Sequence, residues 1–317
     1  MLSSSTASKL DRLLGLNRAK LLVRRLISMQ SGVQAVLFYG AAGSGKSILA
    51  EALAEAWLCR NLSEEGADGT CQACGAFSRG QNPDLLNIEP GGLSSIISVY
   101  AIVNEKPKEE HPAIPLRTFF RTGPLMSQNK VAVIYDAHRL SRDAANSLLK
   151  TLEEPELRAK LILTTDSIGA MIPTILSRCL VVSCEMPLLS ELSGLGKEFS
   201  EDLMRFSEGA PGRLLEFDKK PEPYMRLARF AKSLPTRPAR EALAATEEFK
   251  AICESLNIKN VRVANTEGLA LLATYVARDP AADPRWTQRI AETHRRIRGN
   301  ANPTIAFDAL FTGILTI

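Results

Sequence analysis

The 317-residue chain sets 39 Lys and Arg against 35 Asp and Glu, a formal charge of +4, and 45% of it is hydrophobic. That length and apolar content predict two or three domains with separate cores, and no apolar run approaches the length needed to span a membrane. The small basic excess does not establish a nucleic-acid-binding surface.

Residues 1–8 are serine-rich and lack the apolar segment of a secretory signal, so a cytoplasmic protein is expected. The apolar run Ala35-Val36-Leu37-Phe38-Tyr39 then leads directly into Gly40-Ala41-Ala42-Gly43-Ser44-Gly45-Lys46-Ser47. This is a complete phosphate-binding loop: its glycines let successive N–H groups turn inward, Lys46 supplies a point charge, and Ser47 can ligate Mg²⁺. Ile48, Leu49, Ala52, Leu53 and Ala56 recur at helical spacing behind it, so a helix N-terminus faces the anion. ATP with Mg²⁺ is the expected ligand.

Cys59 falls near the end of that helix, and Cys71-Gln72-Ala73-Cys74 follows a short polar loop. Three thiolates so spaced nearly complete a tetrahedral Zn²⁺ shell, and the same clustering suits a reducing compartment better than a disulfide framework. Residues 91–127 contain Gly91-Gly92, several prolines and a charged run at 105–110, which predicts an exposed loop, with a helix starting near Ile114-Pro115-Leu116. Val131-Ala132-Val133-Ile134-Tyr135 reads as a strand buried on both faces, ending at Asp136. A carboxylate there holds Mg²⁺ or its water in P-loop proteins; the plainer alternative is that Asp136 caps the following turn. Ala137, the next residue, cannot accept a proton, so slow or absent hydrolysis is expected. Ser141 caps a helix that Pro155 halts, Leu161-Ile162-Leu163-Thr164-Thr165 is a further strand, and Leu176-Ser177-Arg178-Cys179 precedes the run Leu180-Val181-Val182. Beyond Cys184 short helices are expected to 217, then, after Pro221-Glu222-Pro223, a helical part to the last residue. Within it Trp286, Ile290 and Ile297 share one face, and the arginines between 285 and 298 cover the rest, most simply as a solvated surface. Cys179, Cys184 and Cys253 are widely spaced and read as buried thiols.

The string Ala144-Ala145-Asn146-Ser147-Leu148-Leu149-Lys150-Thr151-Leu152-Glu153-Glu154-Pro155, with Leu163-Thr164-Thr165-Asp166 and Pro173-Thr174-Ile175-Leu176-Ser177-Arg178-Cys179, resembles the bacterial clamp-loader ATPases of the AAA+ class. The segment from Asn300-Ala301-Asn302-Pro303 onward is similar to the delta-prime branch rather than to gamma/tau. The resemblance implies a fold that is α/β plus all-α. An AAA+ P-loop domain with a helix-flanked parallel sheet would span 1–184, with a cysteine insert at 59–84. A small helical lid at 185–220 and a helical collar at 221–317 would follow. It implies that Arg178 serves as an arginine finger in trans, that Thr165 or Thr164 occupies the sensor-1 place, and that Arg213 stands one position from sensor 2. It also implies gamma/tau and delta subunits as partners, and a sliding clamp and primed DNA as what the assembly handles. Related proteins carry four zinc-binding cysteines in this insert, but here the fourth position is Phe77, and Asn82 replaces a histidine. Two readings stay open: zinc on Cys59, Cys71 and Cys74, with Asp68 or Asp84 as a substitute ligand, or a metal-free knuckle packed around Phe77. Competing functions are a gamma/tau-type motor ATPase and, from another class, a small-molecule P-loop kinase.

Overall fold

The computed structural model describes residues 9–11, 13–28, 32–63, 66–91, 95–103 and 114–316. The serine-rich residues 1–8 and the charged run 105–110 lie outside them. The chain divides into two compact units, Met1–Leu195 and Gly196–Ile317.

The first unit is built on five strands: β1 (Ala35–Tyr39), β2 (Leu85–Ile88), β3 (Lys130–Ile134), β4 (Ala159–Thr165) and β5 (Leu180–Ser183). They form one parallel sheet in the order β2-β3-β4-β1-β5. Alternate side chains pack into two separate cores. Val36, Phe38, Val131, Val133 and Ile162 face helices α1 (Asn17–Ser28) and α2 (Lys46–Leu58). Leu37, Ala132, Ile134, Leu161 and Leu163 face α4 (Leu116–Arg121), α5 (Arg142–Glu153) and α6 (Pro173–Leu176), while α3 (Gln72–Ser78) belongs to the cysteine insert. Burial on both faces is why these strands read as unbroken apolar runs in sequence. Ser141 caps α5 as expected, its hydroxyl accepting from the Ala144 N–H at 3.2 Å. Because all strands run one way, the ends of β1, β3 and β4 meet on one edge: Tyr39 pairs with Thr165, and Ile134 with Leu163. Loops at that carboxyl edge are where an open α/β sheet places its ligands.

The second unit is helical: α7 (Glu201–Ser207), α8 (Pro211–Lys219), α9 (Glu222–Ser233), α10 (Ala242–Ser255), α11 (Val261–Val276), α12 (Pro284–Arg298) and α13 (Pro303–Leu315). Phe230, Phe249, Phe307 and Phe311 form its aromatic centre, with centroids 5.1–5.6 Å apart and three of the ring pairs edge-on, the favoured geometry for such pairs. Trp286, Ile290 and Ile297 are buried along one face of α12 and its arginines are exposed, the arrangement the periodicity predicts. In α13 the buried stripe is Ala306, Phe307, Leu310, Phe311 and Ile314, and Ile305 is exposed.

Candidate functional site

The loop between β1 and α2 is held from both ends. The Gly40 N–H donates to the Thr165 carbonyl at 3.2 Å, and a Cβ at Gly40 would lie 2.3 Å from the Cys184 carbonyl oxygen beyond β5. No side chain fits there without moving backbone. Gly45, at φ 100°, is the left-handed cap from which α2 springs, and with no side-chain cap the first-turn N–H groups are left without an intrahelical partner. Lys46 is buried, its Nζ 2.9 and 2.8 Å from the carbonyls of Gly40 and Ala41 and 2.6 Å from Asp166 Oδ1. The Ser44 hydroxyl is buried with no hydrogen-bond partner. Ala41, Ala42 and Ser47 are exposed, and Gly43 is half-buried.

An open cleft of about 710 Å³ covers this edge, bordered by Ala42, Gly43, Lys46, Ser47, Asp136 and Thr164, among others. Asp136 sits in the left-handed region at φ 50°, ψ 49°; its N–H donates to Thr164 Oγ1 at 3.2 Å, and its side chain makes no capping bond. The turn-capping alternative for this carboxylate is therefore not realised. Ala137 is buried behind it. Thr165 is fully buried, its hydroxyl donating to the Ser167 carbonyl at 3.1 Å, accepting from the Ser167 N–H and lying 3.2 Å from His138 Nδ1. Of the two threonines it is Thr164 that borders the cleft. Burial holds the His138 imidazole below its usual range, hence neutral at pH 7, and burial followed by the charges of Glu51 and Glu89 pushes the Tyr135 phenol up to about 12. The cleft border carries Lys46 and Arg139 against Glu51, Glu89, Asp136 and Asp166. The lining is thus net negative. Asp166 as the partner of Lys46 went unnoticed in sequence; a carboxylate one residue past a strand end was the available signal.

Arg178 lies elsewhere. It stands two residues before Leu180, which pairs with Val36, whereas the phosphate loop begins after Tyr39. Six residues of strand rise at ~3.3 Å each separate the two by ~20 Å. Its guanidinium meets Glu153 Oε1 at 2.7 Å and donates to the Thr174 carbonyl at 3.0 Å and to Ser177 Oγ at 3.3 Å. Arg213, in the second unit, is paired with Glu267 at 3.3 Å. Burial pushes the thiols of Cys179, Cys184 and Cys253 up to about 12, so they are inert. Cys59, Cys71 and Cys74 come together at the junction of α2 and α3, with Sγ atoms 3.9 Å apart for Cys59 and Cys71 and 3.5 Å for Cys71 and Cys74.

Residues 17–187, more than half of the chain, match the family described as DNA polymerase III, delta subunit. The chain belongs to this family. Among its relatives is the DNA polymerase III subunit delta' of Pseudomonas aeruginosa, 33% identical over 185 residues, which are 56% of this chain and 53% of that one. The delta' subunit of Bacillus subtilis is 34% identical over 145 residues, 46% of this chain and 40% of the relative, and the tau subunit of Salmonella typhimurium is 31% identical over 146 residues, 46% and 21%. The chain thus spans about half the length of the curated relatives it matches, or less. A DNA polymerase III gamma subunit-related protein from Thermotoga maritima, solved by crystallography, shares the fold with a TM-score of 0.50 at 18% identity, over 93% of this chain and 98% of that one. The expected helix-flanked parallel sheet followed by a helical part is the architecture observed. No helix among the described residues is long and apolar enough to cross a membrane.

Proposed function

We propose that this chain is a delta-prime-type subunit of the DNA polymerase III clamp loader, a cytoplasmic replication protein that binds nucleotide at its own P-loop and lends Arg178 to the ATP site of a neighbour. The observation that carries this reading is that Arg178 borders a pocket with Gln34 and Ala35 at the opposite end of the sheet from the phosphate loop of the same chain, about 20 Å away by strand rise. An exposed guanidinium on the far edge of the sheet serves another subunit's phosphates, where it offsets charge as the terminal bond breaks.

The site's own residues support nucleotide binding. The N–H groups of the loop through Ser47 and the charge of Lys46 are disposed for phosphates, and the unpartnered Ser44 hydroxyl has a bond still to make. Because the lining is net negative, a polyphosphate enters with a divalent cation, which Ser47 and Asp136 would hold. Bound ATP supplies the scissile phosphoanhydride. Ala137 leaves its water without a base, so the subunit holds nucleotide better than it hydrolyses it. Thr165 would act in the sensor-1 place by fixing His138 and Ser167, with Thr164 presenting its hydroxyl to the cleft. We assign the lid role to 185–220 and the collar role to 221–317, with gamma/tau and delta subunits as neighbours and the sliding clamp and primed DNA as the objects handled.

The test is a loader reconstituted with Arg178→Ala and assayed for ATP turnover stimulated by clamp and primed DNA. A fall on the order of 10³-fold at the affected ATP site is expected, the lower end for loss of a trans arginine. Unchanged turnover sinks the reading. The complete P-loop favours a second reading, a gamma/tau-type motor, which predicts robust hydrolysis by the isolated chain, abolished by Lys46→Ala.

A further inference from the structure

We propose that Asp68 is the fourth ligand of a tetrahedral zinc centre whose other ligands are Cys59, Cys71 and Cys74. The inference is independent of the clamp-loading role. A tetrahedral zinc ion with bonds of about 2.3 Å to sulfur and about 2.0 Å to oxygen spaces its ligands at about 3.8 Å between sulfurs and about 3.5 Å between sulfur and oxygen. The cluster has these edges: 3.9 Å from Cys59 to Cys71, 3.5 Å from Cys71 to Cys74, and 3.5 and 3.4 Å from Asp68 Oδ1 to the sulfurs of Cys59 and Cys74. All four ligand atoms lie within 4.8 Å of one another. A disulfide does not account for this arrangement, because three thiols cannot all pair and the sulfurs stand well beyond the ~2.05 Å bond.

The carboxylate is oriented as a ligand needs to be. Asp68 Oδ2 accepts from Asn61 Nδ2 at 3.1 Å and Thr70 Oγ1 at 3.0 Å, and Oδ1 accepts from the N–H groups of Thr70 and Cys71 at 3.1 Å each. Outer contacts of this kind fix the ligand's direction and basicity. The rival occupants of the fourth corner are engaged elsewhere. Phe77 packs against the sheet core, with the Lys9 ammonium 4.8 Å from its ring centroid. Asp84 is wholly buried and accepts three backbone N–H groups at 2.8 Å. Cys59 ends α2, and Cys71 caps α3 with Cys74 in its first turn. A metal here staples the far end of the phosphate-loop helix to the insert, and loading it displaces the thiol protons to the buffer.

The test uses the full chain expressed with zinc, its metal content measured by mass spectrometry and its affinity by chelator competition, then Co²⁺ in place of zinc for absorption spectra. One zinc per chain is expected, with Asp68→Ala binding on the order of 100-fold more weakly. Asp68→Cys should keep one metal and raise the thiolate-to-cobalt charge-transfer intensity by about a third, as four thiolates replace three. A wild-type chain without zinc whose three thiols all react freely overturns the site. Asp68→Ala with undiminished affinity, or Asp68→Cys with the unaltered cobalt spectrum, overturns the role of Asp68.

Discussion

Asp84 carries the sharpest prediction, because one buried carboxylate ties together two distant parts of the first unit. It precedes β2, and its oxygens accept the N–H groups of Leu125, Met126 and Ser127, which lead into β3, at 2.8 Å each. These bonds hold its pKa below the usual carboxylate range against the opposing effect of burial. In Asp84→Asn an amide oxygen in the Oδ2 position keeps two of the bonds, but the amide NH₂ then faces the Leu125 N–H, donor against donor. Losing one charge-assisted bond costs about 1.5–3 kcal/mol, and a stranded buried donor adds about 1–3 kcal/mol. Allowing for relaxation, ~3 kcal/mol is expected. The assay is urea denaturation read by Trp57, which lies in the first unit, in a Trp286→Phe background that silences the second. The sign of the pH dependence follows from the depressed pKa. The stability Asp84 confers is fully present above the unfolded value of about 3.9 and is lost as pH falls below it toward the folded pKa. The gap between wild type and Asp84→Asn should therefore hold from pH 7 to 5 and narrow below pH 4. A gap under ~1 kcal/mol at pH 7, or one that does not narrow in acid, refutes the reasoning.

Two further outcomes follow from contacts already described. Gly40→Ala puts a Cβ 2.3 Å from a backbone oxygen that cannot rotate away, so it should destabilise the first unit by about 1–3 kcal/mol. In the same denaturation assay Gly123→Ala, which meets nothing within 4 Å, should change stability by less than ~1 kcal/mol; equal effects of the two would contradict the close approach. Glu153→Ala removes the partner of Arg178, a pair exposed enough that stability should move by less than ~1 kcal/mol. Under the trans-finger proposal the reconstituted loader should nonetheless turn over ATP several-fold more slowly, with Glu153→Asp recovering part of the rate. Unaltered turnover would remove Glu153 from any positioning role.

The sheet was legible in sequence wherever a strand is buried on both faces. The run 35–39 is β1 without adjustment, and 131–135 and 161–165 differ from β3 and β4 by one or two terminal residues. Strand β2 was not legible: it has four residues, and Asn87 interrupts the apolar pattern. At the site, residue types declared themselves where chemistry demands one type, as with Lys46, Ser47 and Asp136. Partners did not, because Asp166, Glu153 and the Thr70 hydroxyl act only through the fold that brings them near. The threonine pair shows the limit well. Both end β4 with a hydroxyl, and only strand alternation sends Thr164 to the cleft and Thr165 inward to His138.

The substitutions Asn82 and Phe77 looked in sequence like two losses in one decaying module, yet in the fold they have separate explanations. Asn82 donates to the Ala73 carbonyl at 3.0 Å and to Ser127 Oγ at 3.2 Å, and accepts the Asp84 N–H at 2.9 Å. It thereby joins the insert to the same segment that Asp84 anchors, and a short amide is sufficient for that. Phe77 adds apolar contact to the sheet core. A module losing its metal would be free to lose the alignment of its remaining ligands as well. Here three sulfurs and a carboxylate oxygen stay together, with four of their six separations between 3.4 and 3.9 Å and all within 4.8 Å, and Asn61 and Thr70 hold that carboxylate in place. Under the zinc proposal, the missing cysteine and the oriented aspartate amount to one change in ligand identity.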